Sequence, residues 1–261
     1  MNKIMDIYNR HRFLFAELVK RDFKKKYKRT YLGILWSLLS PLLTLLVMSI
    51  VFSSFFGTDI PHYTIYLFCG NIVWSFFSDA TNGGMASLMD NAAIFSKINV
   101  PKYLFLLSRN LSSLINFGMT FVVFLIFCLL DGIAITPMFL MLIVPVALLI
   151  LFNVGVGLIL SAMFVFFRDV QYLWGVFLTL LMYLSAIFYD PTTMTILGFN
   201  GGKLLMFNPI YTYIRYFREI VLYGNIPGLE HHVLAIGFAL GALLIGGLIY
   251  KKMNHKFLYY I

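Results

Sequence analysis

The feature that most limits what this chain can become is an apolar stretch over residues 34–56, set directly behind the basic run LysArgAspPheLysLysLysTyrLysArg at 20–29. A hydrocarbon core about 30 Å thick takes about 20 helical residues to cross, so the stretch is long enough to span a bilayer. Ten Lys and Arg fall within the first 29 residues, and a cationic flank of this kind stays in the cytosol. A secretory signal peptide also runs from positive to apolar, but its apolar core is only about 7–15 residues long and ends in a small-residue cleavage site. SerSerPhePheGlyThr at 53–58 offers no convincing site of that kind. With 61% hydrophobic and 12% charged residues, the chain has too little polar surface to cover a soluble globule.

Six stretches read as candidate spans: 34–56, 62–81, 103–130, 138–167, 172–189 and 233–250. Charge tests the count, because alternate loops of a membrane protein differ sharply in Lys and Arg. By this reading 17 of the 20 basic residues lie on the cytosolic side, and only Lys203, Arg215 and Arg218 lie opposite, all in one loop. Both termini are then cytosolic. The formal charge of +9 reads as orientation and attraction to anionic lipid heads rather than nucleic-acid binding. Cys69 and Cys128 fall inside apolar spans and suggest neither a disulfide framework nor a metal site. The expected fold is an all-α integral membrane protein, one domain over 1–261 with a six-span bundle at 34–250 and a cytosolic tail at 251–261.

If the chain pumps a solute, the energy has to come from elsewhere. Carriers driven by ions or protons commonly place ionisable groups in the bilayer, whereas Asp79 is the one acid clearly within a span here, read as near its helix end. No GxxxxGK[ST] phosphate loop occurs, and GlyGlyLys at 201–203 lacks the spacing. A pump of this kind needs ATP and Mg bound by a separate subunit, and no cofactor in this chain. A membrane-embedded glycan transferase is the alternative from another class, but it needs a general base or a metal group. His231 and His232 are adjacent, so they point about 100° apart on a helix, and His11, His62 and His255 are isolated. These read as histidines at span ends, and no catalytic or metal-binding residue is assigned.

Three segments outside the spans carry more. Over residues 1–30, Phe15, Val19, Phe23 and Tyr27 recur at i+4 with Leu18 beside them, while Lys20, Arg21, Lys24, Lys25 and Lys28 take the other side. That pattern predicts an amphipathic helix in the cytosolic interface, with Glu17–Arg21 and Asp22–Lys26 as i,i+4 pairs; a plain topology signal is the alternative. In the cytosolic connection 87–101, Asp90 or Asn91 can cap a short helix that Pro101 stops. Ile94, Phe95 and Ile98 would form its apolar face around Lys97, suited to a groove on a soluble partner, unless the turn packs on its own bundle. The outer loop 190–232 is too long for a simple connection. Asn208 and Pro209 can start a helix with Ile210, Ile214, Phe217 and Val221 on one face, Arg215 and Arg218 elsewhere, and Gly224 as a stop. With the glycine-broken apolar stretch before it, this reads as a re-entrant outer hairpin between the last two spans; a surface flap on the bilayer is the alternative.

ArgAspPheLysLysLysTyrLysArgThrTyrLeuGlyIleLeuTrpSerLeuLeuSerProLeuLeu at 21–43, PheSerLysIleAsnValPro at 95–101, PhePheArgAspVal at 166–170 and PheAsnProIleTyrThrTyrIleArgTyrPheArgGlu at 207–219 occur in that order. Together they resemble the type 2 ABC exporter permeases that move O-antigen, capsule and teichoic-acid polymers, across essentially the whole chain. The resemblance implies a homodimer in the bacterial cytoplasmic (inner) membrane, two separate ATP-binding subunits, and a polyprenyl-pyrophosphate-linked polysaccharide as cargo, with no catalytic residue in the permease. It implies contact with the ATPase through Asn91, Ile94, Phe95, Lys97 and Ile98, and through Arg168 and Asp169, which taken alone read as a capped helix end. Substrate admission then falls to the amino-terminal segment at Arg21, Lys25, Arg29, Tyr31 and Trp36, whose cations could meet a pyrophosphate or merely lipid heads. Asn208, Pro209, Arg215 and Arg218 would form the outer gate. Trp74, Phe76 and Tyr183 lie deep in their spans, so they are candidates for a glycan path. A type 2 permease for drugs or small lipids shares the plan and stays open as an alternative.

Overall fold

The computed structural model describes residues 2–27, 30–56, 60–97, 100–196 and 199–260. Eleven helices occur in it: α1 Asn2–Tyr27, α2 Trp36–Phe56, α3 Tyr63–Asp90, α4 Ala92–Phe95, α5 Tyr103–Leu130, α6 Ile143–Phe166, α7 Val170–Leu184, α8 Gly201–Leu205, α9 Pro209–Val221, α10 Leu229–Met253 and α11 Phe257–Tyr260. The one departure from an all-helical chain among the described residues is a two-stranded antiparallel hairpin, β1 Thr195–Ile196 with β2 Phe199–Asn200.

Among the described residues four helical stretches are long and apolar enough to cross a membrane: α2, α5, α6 with the 3-10 turn before it, and α10. The other two expected spans differ from expectation. The second, expected at 62–81, runs on to Asp90 as a 28-residue helix. It is the central helix, packed against α2, α5, α6 and α9. Asp79 therefore sits inside α3 rather than near its end. The fifth, expected to reach 189, stops at Leu184 after 15 residues. Its end is fixed locally. Ser185 Oγ turns back to the Leu181 carbonyl at 2.6 Å, and Ala186 adopts a left-handed φ of 49°, which no continuing α-helix accommodates.

The closest helix crossing joins α6 and α10. A Cβ on Gly155 would stand 2.4 Å from the Ala242 carbonyl carbon, and one on Gly246 would stand 2.3 Å from the Gly155 oxygen. Small residues allow such an approach where lipid offers no hydrophobic drive between helices.

Four segments separated in sequence gather at one end of the bundle. Phe95, Phe105, Val165, Tyr250, Phe257 and Leu18 share one buried cluster. Lys102 Nζ donates to the Asn254 carbonyl at 2.9 Å and lies over the rings of Phe95 and Phe257; burial lowers its ammonium from the ordinary value. At the opposite end, His62 Nδ1 lies 2.6 Å from Asp131 Oδ2, tying the start of α3 to the end of α5.

The amino-terminal helix forms as expected, but its buried face is one residue out of register with the expected one. Leu18 and Asp22 are buried, while Phe15, Val19 and Phe23 are only half-buried and Phe13 is exposed. Among the described side chains Glu17 pairs with Lys20, and Asp22 pairs with Arg21 and Arg109; the side chain of Lys26 lies outside the described ones. The Glu17–Lys20 pair follows helical spacing, and the Asp22–Arg109 pair is a tertiary contact.

Candidate functional site

Between α2, α3 and α5 an open groove of about 750 Å³ is lined by hydroxyls, amides and aromatic rings. Its residues recur at helical spacing on each wall: Ser37, Ser40 and Thr44 on α2; Asn71, Ser75, Asp79 and Asn82 on α3; Ser113, Asn116 and Thr120 on α5. Trp36, Trp74, Phe76 and Phe117 supply the apolar faces. Asn116 Nδ2 donates to Asp79 Oδ2 at 3.5 Å. Polar groups inside apolar helices are costly unless they face one another or a wet cavity, so three polar stripes turned to one groove define it as a water-accessible surface. The chemistry available is hydrogen bonding in both directions and ring stacking, which fits a polyhydroxylated ligand.

A second cavity adjoins it, sharing Asp79, Asn82, Ser113 and Asn116 and adding Asp22, Lys25, Gly83, Arg109 and Ser112. It leads to a polar cluster at the end of the bundle that holds α4. Asp22 is fully buried at its side chain. It accepts from Ser108 Oγ at 2.9 Å and from Arg21 Nη2 at 2.7 Å, with Arg109 Nε 3.6 Å away. Arg21 Nη2 also donates to Asn91 Oδ1 at 2.7 Å, Arg109 Nη2 pairs with Asp90 at 2.6 Å, and Lys25 approaches Asp90 at 4.0 Å.

These contacts reassign several expected residues. Among the residues expected to admit substrate, Trp36 lines the groove and Lys25 the adjoining cavity, Tyr31 is fully exposed, and Arg29 lies outside the described residues. Arg21 pairs with Asp22 at 2.7 Å, and Lys25, whose side chain is exposed, lies 4.0 Å from Asp90. Trp74 and Phe76 line the groove, whereas Tyr183 does not; it is exposed on α7, with its ring against Phe188.

Asn91 stands at the N-cap position of α4 but its side chain makes no capping bond, and Asp90 is the last residue of α3. The Asn91 amide donates to the Ser87 carbonyl at 2.7 Å while its oxygen takes Arg21. Phe95 is not a projecting knob. It is buried with its ring 5.9 Å from that of Phe105, because a phenyl ring beside the apolar ends of α5 and α10 gains more from burial than from water. Lys97 is exposed, Ile94 is half-buried, and Ile98 lies outside the described residues. Arg168 and Asp169 form the exposed corner between α6 and α7, where Asp169 makes no side-chain cap.

At the other end, Asn208 caps α9 as expected, its side-chain oxygen accepting from the Ile210 and Tyr211 amides, with Pro209 at the first position. Arg215 is half-buried and pairs with Glu219 at 3.5 Å. Arg218 is the larger surprise. Rather than lying on an outward face it is buried, donating to the carbonyls of Ala186, Ile187 and Tyr66 at 2.9, 3.0 and 3.2 Å. Its guanidinium carbon lies 3.3 Å from the centroid of the Tyr66 ring.

Long apolar helices enclosing a polar groove define a multi-pass membrane protein. The chain belongs to the ABC-2 type transporter family, whose pattern residues 14–222 match. Relatives along almost the whole length agree. The O-antigen export system permease protein RfbA of Klebsiella pneumoniae is 26% identical over 247 residues, 94% of this chain and 93% of the relative. The protein of the same name from Myxococcus xanthus is 25% identical over 97% of each chain. The polysialic acid transport protein KpsM of Escherichia coli is 24% identical over 92% of this chain and 93% of its own.

Proposed function

We propose that this chain is the membrane subunit of an ATP-driven exporter that carries a polyprenyl-pyrophosphate-linked polysaccharide out of the bacterial cytosol. It would act as two copies with two separate ATP-binding subunits in the cytoplasmic membrane. The observation that carries the reading is the groove walled by hydroxyl and amide stripes and by Trp36, Trp74 and Phe76, which offers a sugar chain what water and lipid cannot offer together. The names of the relatives, export and transport of O-antigen and polysialic acid, point the same way. Six spans with both termini cytosolic account for α1, the Asn91 turn, the Arg168–Asp169 corner and the tail. The first, second and last of these pack together, and the corner follows directly on α6, whose end joins the same cluster. The exposed corner and the Lys97 turn would meet the ATPase, while α9 and the hairpin would form the gate on the far side.

Deleting the chain from cells that make a lipid-linked polymer tests the reading. The polymer should accumulate inside and disappear from the surface, and surface polymer at the normal level without the chain would sink it.

A further inference from the structure

The Asp22 cluster adds directional bonds between three elements that otherwise meet through apolar packing. Helix α1 meets the bundle through residues that include Leu14 and Leu18, and apolar burial of this kind is non-directional. Asp22 is different. Its carboxylate accepts from Ser108 and is ion-paired with Arg109, both at fixed positions on α5, and through Arg21 it is tied to Asn91 between α3 and α4. A buried ion cluster is a weak source of net stability, and setting a register or a switch is the best-attested use of one. The cluster also borders the cavity that opens into the groove.

We propose that Asp22 is a positioning residue that makes the amino-terminal helix and the Asn91 turn move as one body, so that displacement of that turn by an ATPase subunit shifts α1 and the near edge of the groove. The inference rests on the export reading above. In mechanical terms, the Arg21–Asn91 bond transmits the displacement and the Asp22–Ser108–Arg109 contacts set the pivot on α5. Without the carboxylate, α1 keeps its apolar seat but loses its pivot on α5, and Arg21 loses the charge that holds it toward Asn91.

The test uses the full chain purified with its ATP-binding partner in lipid nanodiscs. A spin label is placed at Phe13→Cys, an exposed position on α1, and the two native cysteines are buried. In the otherwise native protein, ATP should change the mobility of the label. In Asp22→Asn, ATP hydrolysis should persist while the label no longer responds and export falls about tenfold, the effect of weakening one charge-assisted contact in a buried site. Ser108→Ala removes one donor and leaves the ion pairs, so it carries the same readings if Asp22→Asn does not accumulate; its label response should be reduced and its export lowered by a smaller factor. A merely structural role would lower abundance, hydrolysis and export together, and that result overturns the proposal. A label response and export matching the native protein in whichever variant accumulates also overturns it while leaving the export reading intact. Failure of any ATPase to co-purify with the native chain would overturn both.

Discussion

Helices α7 and α9 are nearly equal in length, 15 and 13 residues, and their burial is opposite to what their composition suggests. The first is almost wholly apolar, yet Tyr172, Leu173, Val176, Leu180 and Tyr183 are exposed, and only Val170, Trp174 and Leu178 are buried. The second carries two arginines and a glutamate, yet ten of its residues are buried, Arg218 among them. In a chain of this kind apolarity says that a face avoids water, and lipid satisfies that as well as protein does. Burial within the bundle is decided instead by whether polar groups find partners. Arg218 finds three carbonyls, two of them in the segment where α7 breaks. One helix therefore has to be broken for the other to be buried.

The comparison is broken most severely by removing packing from α9. Phe217 is fully buried beside Phe117, and Phe217→Ala should cost about 3–5 kcal/mol, seen as a loss of folded chain in a detergent melt. Next comes Arg218→Met, which keeps much of the volume but strands the carbonyls of Ala186, Ile187 and Tyr66. The expected loss is on the order of 3 kcal/mol, with faster proteolysis over residues 184–190. An unchanged melt for Arg218→Met would show that those carbonyls find other donors, and the link between the two helices would fall.

Much of this was legible beforehand, for reasons that differ by region. The α5 limits, the Asn208 cap and the Pro209 start follow from local chemistry, so reading them needs no tertiary knowledge. The polar stripes are legible too, since Asn71, Ser75, Asp79 and Asn82 keep helical spacing, whereas aromatic content alone does not separate Trp74 and Phe76 in the groove from Tyr183 outside it. The roles of Arg218, Asp22 and Phe95 were not legible. Arg218 finds its acceptors at positions 66, 186 and 187, and Asp22 bonds across 86 residues. Spacing at i,i+4 offers Asp22 only Lys26 and offers Arg218 no acceptor at all, because acceptors this distant along the chain leave no local pattern. Phe95 shows the converse: an apolar residue on a short connection looks like a docking knob until α5 and the tail close over it.

The smallest effect is expected on α7, and it is the one that tells most about the comparison. Leu173 is 70% exposed. If lipid covers that face, Leu173→Ala exchanges one apolar surface for a smaller one against fluid chains, and stability should move by no more than about 0.5 kcal/mol. A Leu buried against protein costs about 2–5 kcal/mol when cut to Ala, because the cavity stays open. Melting the variant in detergent over a range of chain concentrations separates these cases, since only burial by a second chain makes the loss depend on concentration. The expected result is the small, concentration-independent one, which leaves α7 as a lipid-facing helix and α9 as the protein-facing one. A loss of several kcal/mol that grows on dilution would instead make α7 the helix completed by another copy, and its missing burial would belong to the assembly rather than to the bilayer.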